Sequence, residues 1–234
     1  MSLLYVIRHG QAAFGNERYD QLSVIGTRQA RLVGCFLRRC RIEFDLIFSG
    51  PKQRQIHTAL AAMPEMCPNP GSHPIILEEL SEYDAARIIK RYFEMEGNSA
   101  DDAAERIKEA LKDTDNFFQL FKKAVHMWFS GDIFGKDLES RSEFRARVAA
   151  GLARIGLESG EHKTIAVFTS GGVISAIMQE ATGVSDETAF ELAWHIRNAS
   201  ISVFEHRHGR LKLVSFNSVA HFELEEEPRL ITYR

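Results

Sequence analysis

Cysteine is scarce in this chain: Cys35, Cys40 and Cys67 are the three among 234 residues. An odd number without metal-ligand spacing supports neither a disulfide framework nor a thiolate metal site, and reduced, partly buried thiols in a cytoplasmic protein are expected. Cys35 and Cys40 fall five positions apart on one predicted helix, so their side chains diverge. Positive charge is not in excess either. With 29 Lys and Arg against 32 Asp and Glu, the formal net charge is −3, which gives no broad field for nucleic acid or an anionic membrane; any anion site has to be local. Long apolar runs are missing. The most apolar stretch, 165–184, is broken by Ser170-Gly171-Gly172 and by Gln179-Glu180, so no membrane span is expected. The first residues show no basic segment followed by an apolar core, so no signal peptide is expected. Repeats, low-complexity tracts and long linkers are also lacking, as are carboxylate or His clusters at metal spacing, so neither a metal nor a cofactor is expected.

What is present is an ordinary globular composition, 44% hydrophobic and 26% charged, in a chain long enough for one large domain with a sizeable insertion. Residues 3–7 form an apolar run that reads as a buried strand. Residues 24–39 read as an amphipathic helix, with Ala30, Val33, Phe36 and Leu37 inward, Arg28, Arg31 and Arg38 outward, and Ser23 as N-cap. A second strand is expected over 45–48, a helix from Pro51 to about 63, a proline-rich loop from Pro64 to Pro74, and a third strand over 75–77. From 85 to about 130 charges and helix formers dominate. This stretch reads as a helical insertion, broken into two pieces at Gly97-Asn98-Ser99. A helix over 140–157, a buried strand over 164–168, a helix over 171–181 and a hairpin around His208-Gly209 complete the pattern. Strands alternating with helices predict an α/β fold: a three-layer α/β/α architecture with a mostly parallel central sheet.

Chemistry concentrates where strands end. The first strand runs into Arg8-His9-Gly10, and in open α/β sheets ligands bind just beyond the carboxyl ends of strands. Arginine supplies a charged fork for phosphate oxygens, and neutral imidazole is a nucleophile near pH 7. The second strand ends in Ser49-Gly50-Pro51 and opens a helix whose first turn carries Arg54; free N–H groups there suit an anion. The third leads to Leu77-Glu78-Glu79-Leu80-Ser81-Glu82-Tyr83-Asp84, where one carboxyl at the strand end is placed to protonate a leaving oxygen and Glu78 and Glu79 read as a solvated turn. The fourth ends in Thr169-Ser170-Gly171-Gly172, again a hydroxyl-glycine turn into a helix. Asn16, in the loop after His9, is a further candidate for an oxygen contact. His195 and His221 read as architectural.

Taken together, Arg8-His9-Gly10, the pattern Ser49-x-Pro51-x-x-Arg54 with Thr58-Ala59, Leu80-Ser81-Glu82 and Glu139-Ser140 resemble the histidine phosphatase superfamily, the phosphoglycerate-mutase-like fold. The resemblance covers most of the chain except the segment near 85–130. It implies that His9 becomes phosphorylated, that Arg8 and Arg54 bind the phosphoryl oxygens, and that Glu82 is the acid. One departure stands out. The family usually carries a second histidine after the fourth strand, and this chain has Ser170. Loss of a preorganised charge-stabilising donor costs about 3–4 kcal/mol, roughly 10²–10³ in rate; N–H groups at Ser170, Gly171 and Gly172 offset part of it.

The expected activity is metal-independent hydrolysis of a small phosphomonoester through phosphohistidine. Glu82 protonates the leaving group, and Ser170 and Gly171 complete the phosphate pocket. A phosphoglycerate-type mutase and a weakly active or non-catalytic phospholigand-binding protein are the alternatives. The partners expected are a small phosphorylated substrate and a second copy paired through the hairpin edge, not nucleic acid or membrane.

Overall fold

The structure is a computed structural model and describes every residue except 14–19, 67–72, 98, 111–112, 161 and 234. Cys67 and Asn16 therefore lie outside the described residues. The chain divides into two compact units, one made of Met1–Glu82 with Arg147–Arg234, the other of Tyr83–Ala146.

The first unit is built on a six-stranded sheet in the order β3-β2-β4-β1-β5-β6. Its strands are β1 (Ser2–Arg8), β2 (Leu46–Ser49), β3 (Ile75–Ile76), β4 (Thr164–Thr169), β5 (Ile201–Arg207) and β6 (Arg210–Ser218). Strands β1 to β4 are parallel, β5 runs antiparallel to β1, and β6 pairs antiparallel with β5, as the alternation of strand and helix followed by a late hairpin predicts. The sheet is flanked by helices: α1 (Val24–Arg39), α2 (Gln53–Met66), α7 (Gly171–Thr182), α8 (Asp186–Ala193) and the short α9 (Ala220–Glu223) belong to this unit. Ser23 caps α1 by accepting from the Gly26 N–H. Apolar positions of α1 and α2 meet β1 and β4 in a core of Ile7, Val33, Leu37, Ala59, Ala62, Ala166, Phe168 and Phe222. Removal of these side chains from water is the main favourable contribution to folding. Pro64, read as a loop residue, instead sits inside the end of α2. It removes one helical bond, to the carbonyl of Leu60, a residue on the exposed face of the helix where water can serve that oxygen.

The second unit is helical: α3 (Ala85–Met95), α4 (Ala100–Ala110), α5 (Thr114–Phe129) and the first turns of α6 (Arg141–Ser159). It runs from Tyr83 to Ala146, and its helices are interrupted twice, after α3 and after α4, rather than once. The first break is sealed by Ser99 and Asp102, which cap each other reciprocally. The second is sealed by Asp113, which accepts from the Asn116 N–H; an aspartate among charged neighbours gives no sequence signal of a cap. Ser140 and Glu143 form a capping box at the start of α6. No helix among the described residues is long and apolar enough to cross a membrane.

His221 is buried in the first unit against Phe36 and Phe222. Burial pushes its imidazole down to about 4, opposed weakly by the Ala199 backbone. The unfolded chain therefore takes up a proton near pH 6.5 that the fold does not accept until about pH 4. Stability is present in full above pH 6.5 and falls as the pH drops through that window, by on the order of 3 kcal/mol. A His221→Leu variant is expected to flatten this part of the stability–pH profile, measured by urea unfolding between pH 4 and 7; an unchanged slope would assign it to other groups.

Candidate active site

Strand register brings the site together. In the β1–β4 pair Arg8 stands opposite Thr169, and in the β2–β4 pair Ser49 stands opposite Phe168. The first residues past the strands are then neighbours: the His9 N–H donates to the Thr169 carbonyl at 2.8 Å and the Gly50 N–H to the Phe168 carbonyl at 3.0 Å. The Leu77 N–H donates to the Ser49 carbonyl at 2.9 Å, which draws in the segment leading to Glu82. Arg8, His9, Arg54, Glu82, Ser170 and Gly171 all belong to the sheet unit.

The turn that carries His9 is held on several sides. Its carbonyl accepts from the Ala199 N–H at 3.1 Å and the Asn198 side chain at 3.3 Å. The Gly10 N–H donates to Thr58 Oγ1 at 3.0 Å, and that hydroxyl donates to the Arg54 carbonyl at 2.6 Å. The Thr58 of the Thr-Ala pair thus ties the His9 turn to the first turn of α2. Buried Gln29 accepts from the Gln11 N–H at 2.8 Å. Gly10 and Gly26 touch backbone to backbone. A Cβ on Gly10 would lie 2.4 Å from the Gly26 carbonyl oxygen, and one on Gly26 would lie 2.1 Å from that of Gln11, so neither place admits a side chain.

His9 is buried and its tautomer follows from its two contacts. Arg54 Nε donates to His9 Nε2 at 3.1 Å, so Nε2 carries a lone pair. Nδ1, 2.8 Å from the Gly10 carbonyl, therefore carries the proton and donates it. Burial, the Arg54 charge and the Arg8 charge, in that order, hold the imidazole well below its usual range. Two guanidinium groups thus flank a neutral ring whose basic nitrogen faces one of them. Arg8 donates to the backbone carbonyls of Ile196 and Tyr233, the latter at 3.0 Å, and its Nε lies 3.7 Å from where a Cβ on Gly171 would stand. It lies beside the start of α7, whose Gly172 N–H donates to Glu82 Oε2 at 2.9 Å. The carboxyl group of Glu82 thus stands at one helix N-terminus of the site.

Two side chains escaped the sequence reading. Asp20 accepts from Arg54 at 2.6 Å and from the Gln53 N–H at 2.8 Å, placing a second carboxylate at the other helix N-terminus. No spacing rule links a loop aspartate to an arginine 34 positions away. Gln55 is fully buried and donates to Ser170 Oγ at 2.8 Å and to the Leu80 carbonyl at 3.2 Å, while its Oε1 accepts from the Lys52 N–H at 3.0 Å. Its signal was a polar residue in the inward stripe that also holds Thr58, Ala59 and Ala62. Ser170, expected to complete the pocket, is itself fully buried, with its hydroxyl turned to that amide instead of capping α7. Gly50 makes room: a Cβ there would meet Gln55 Oε1 at 2.2 Å. Among the described residues no group of three or more His, Cys, Asp or Glu side chains is placed to hold a metal ion.

No curated protein matches the chain. Solved structures do. A mutant phosphoserine phosphatase from Entamoeba histolytica in complex with phosphoserine shares 21% identity at a TM-score of 0.63, over 94% of this chain and 99% of that one. A phosphoglycerate mutase from Bacillus anthracis shares 18% identity at a TM-score of 0.65, over 97% of each chain. An alpha-ribazole phosphatase from Shigella flexneri shares 19% identity at a TM-score of 0.61, over 92% of this chain and 96% of that one. At these identities the likeness is one of fold. The family model described as histidine phosphatase superfamily (branch 1) matches residues 4–219. Nearly the whole sheet unit and all of the helical one fall within that match, and the chain belongs to the histidine phosphatase superfamily, branch 1.

Proposed function

We propose that this chain is a metal-independent phosphomonoester hydrolase that acts on a small phosphorylated metabolite through a phosphohistidine intermediate. The observation that carries the reading is His9: a neutral ring, protonated on Nδ1, with the Nε2 lone pair turned toward a guanidinium. A phosphoryl group bound by Arg54 and Arg8 lies in front of that lone pair. Relatives of the same fold have been crystallised with phosphoserine and with 3-phosphoglyceric acid.

Nε2 attacks phosphorus, and the N–P bond forms as the ester P–O bond breaks. Arg8 and Arg54 hold the outer oxygens and offset their charge through a loose transition state. Glu82 gives its proton to the departing oxygen. As a carboxylate it then takes a proton from the water that splits phosphohistidine, which releases inorganic phosphate and restores the acid. The Gly171 and Gly172 N–H groups add partial positive charge. Ser170 acts through the position it gives to this helix start. The Ser170–Gln55 pair favours a second reading, a non-catalytic phospholigand-binding protein, and hydrolysis assays separate the two. Lasting phosphohistidine with an isomerised product in place of free phosphate would move the reading to a mutase.

Aryl phosphate hydrolysis in the presence of EDTA is expected to persist in the wild type and to fall by at least roughly 10³-fold in a folded His9→Ala variant. Because the two arginines and burial keep His9 neutral, the acidic limb of its kcat/KM profile should lie well below pH 6.5. Equal rates for the two proteins, or loss of activity on removing metals, would overturn the reading.

Incoming phosphate has to displace Asp20 from Arg54. The Arg54 side chain is largely covered and that of Asp20 only partly open to water, so the pair is worth at least about 1 kcal/mol, the upper end for exposed pairs, and Asp20→Asn should tighten inhibition by inorganic phosphate by roughly fivefold or more. Weaker inhibition would mean instead that Asp20 holds Arg54 in place for the ligand.

An imidazole at position 170 has to push the Gln55 amide aside. Ser170→His alone is therefore expected to gain little. Combined with Gln55→Ala, it should hydrolyse a phosphomonoester about 10²-fold faster than the single variant. Equal rates would show that charge at this position is not what limits turnover.

A further inference from the structure

We propose that Arg147 is a positioning residue for Glu82, an assignment that rests on the reading of Glu82 as the proton donor. Arg147 lies on α6 within the sheet unit, far from Glu82 in sequence. One terminal nitrogen of its guanidinium donates to the Glu79 carbonyl and to the Ser81 carbonyl, each at 2.9 Å, with the Glu78 carbonyl at 3.5 Å. These oxygens belong to the single 3₁₀ turn Glu78–Leu80 and to the residue after it. The Ser81 carbonyl shares its peptide plane with the Glu82 nitrogen, so the bond that fixes one fixes the orientation at which the chain enters Glu82.

The carbonyl between them is held by other groups. Leu80 O accepts from Thr169 Oγ1 at 2.9 Å and from Gln55 at 3.2 Å. Successive carbonyls at 79, 80 and 81 are thus gripped by α6, by the end of β4 with α2, and by α6 again. Glu82 follows at once, with Oε2 of its carboxyl group accepting from the Gly172 N–H. Two further residues on α6 serve the same contact. Gly151, one turn beyond Arg147, lets the turn approach so closely that a Cβ would lie 2.9 Å from Glu79 Cβ. Arg154 pairs with the Glu79 carboxylate at 3.4 Å. Both short bonds come from one nitrogen, so an ammonium on a methylene chain can make them in part, though without the fixed plane that holds the guanidinium's N–H groups in one orientation.

A residue that positions a general acid leaves a mark that a merely stabilising residue does not. Its loss slows esters whose leaving group needs a proton and spares those whose leaving group does not. The experiment compares an alkyl phosphate with 2,4-dinitrophenyl phosphate in the wild type, Arg147→Met, Arg147→Lys and Glu82→Gln, each checked for folding by circular dichroism. Arg147→Met should lose roughly tenfold or more on the alkyl ester and stay within about twofold on the activated aryl ester; Arg147→Lys should recover part of the loss. Glu82→Gln should show the same selectivity more strongly. If Arg147→Met does not fold, Gly151→Ala pushes the same turn and carries the same expectation. Selectivity in Glu82→Gln without it in the Arg147 or Gly151 variant would overturn this assignment alone. No selectivity in Glu82→Gln would overturn the reading of Glu82 on which it rests.

Discussion

The constraint on which the site depends is the parallel register of β1 against β4. Arg8 opposite Thr169 sets where both strands stop, and the bond from the His9 N–H to the Thr169 carbonyl makes that stop common to both. A slip of one residue would turn His9 to the other face of the sheet. Val6, Ile7, Val167 and Phe168 are buried on both faces of the sheet, so the slip is opposed by shape: shifted by one, side chains of different size would face each close-packed layer. The chemistry of the loops is therefore held in place by the packing of the strands.

Around that fixed point the site is electrostatically closed on itself. Each cationic element that a phosphate would use has an internal acceptor: Asp20 on Arg54 and the first N–H of α2, Glu82 on the α7 N–H, and backbone carbonyls on Arg8. Buried positive groups that face no anion are costly, and such acceptors keep the fold stable. They also set a threshold for binding. On the proposed reading, a phosphate dianion passes that threshold because it brings more charge than the carboxylate it replaces.

Much of this was legible in the sequence because it is local. Residues 3–7 read as a strand from continuous apolarity, α1 from its period and from Ser23, and the site candidates from residue types at strand ends. The histidine phosphatase resemblance rested on Arg8-His9-Gly10 and on Arg54 with Thr58-Ala59, and the family match agrees with it. What escaped was non-local. Asp20 meets Arg54, and Arg147 meets Glu79 and Ser81, only through tertiary structure. The second helix break at Asp113 was hidden because aspartate is as ordinary on a solvated face as at a cap. Ser170 was visible as a departure, but the glutamine that fills the space beside it was not, since a single polar residue in a helical stripe announces no partner.

The interlocked glycines have a consequence for how the molecule comes apart. Gly10 and Gly26 leave no gap between the turn that carries His9 and the first helix, and Gln29 bonds that same turn from the next turn of the helix. The helix cannot lift away by small, independent fluctuations without carrying the histidine's anchorage with it. Amide exchange in the two segments should then report one shared opening event, and thermal inactivation should track the detachment of a helix rather than global melting of the sheet.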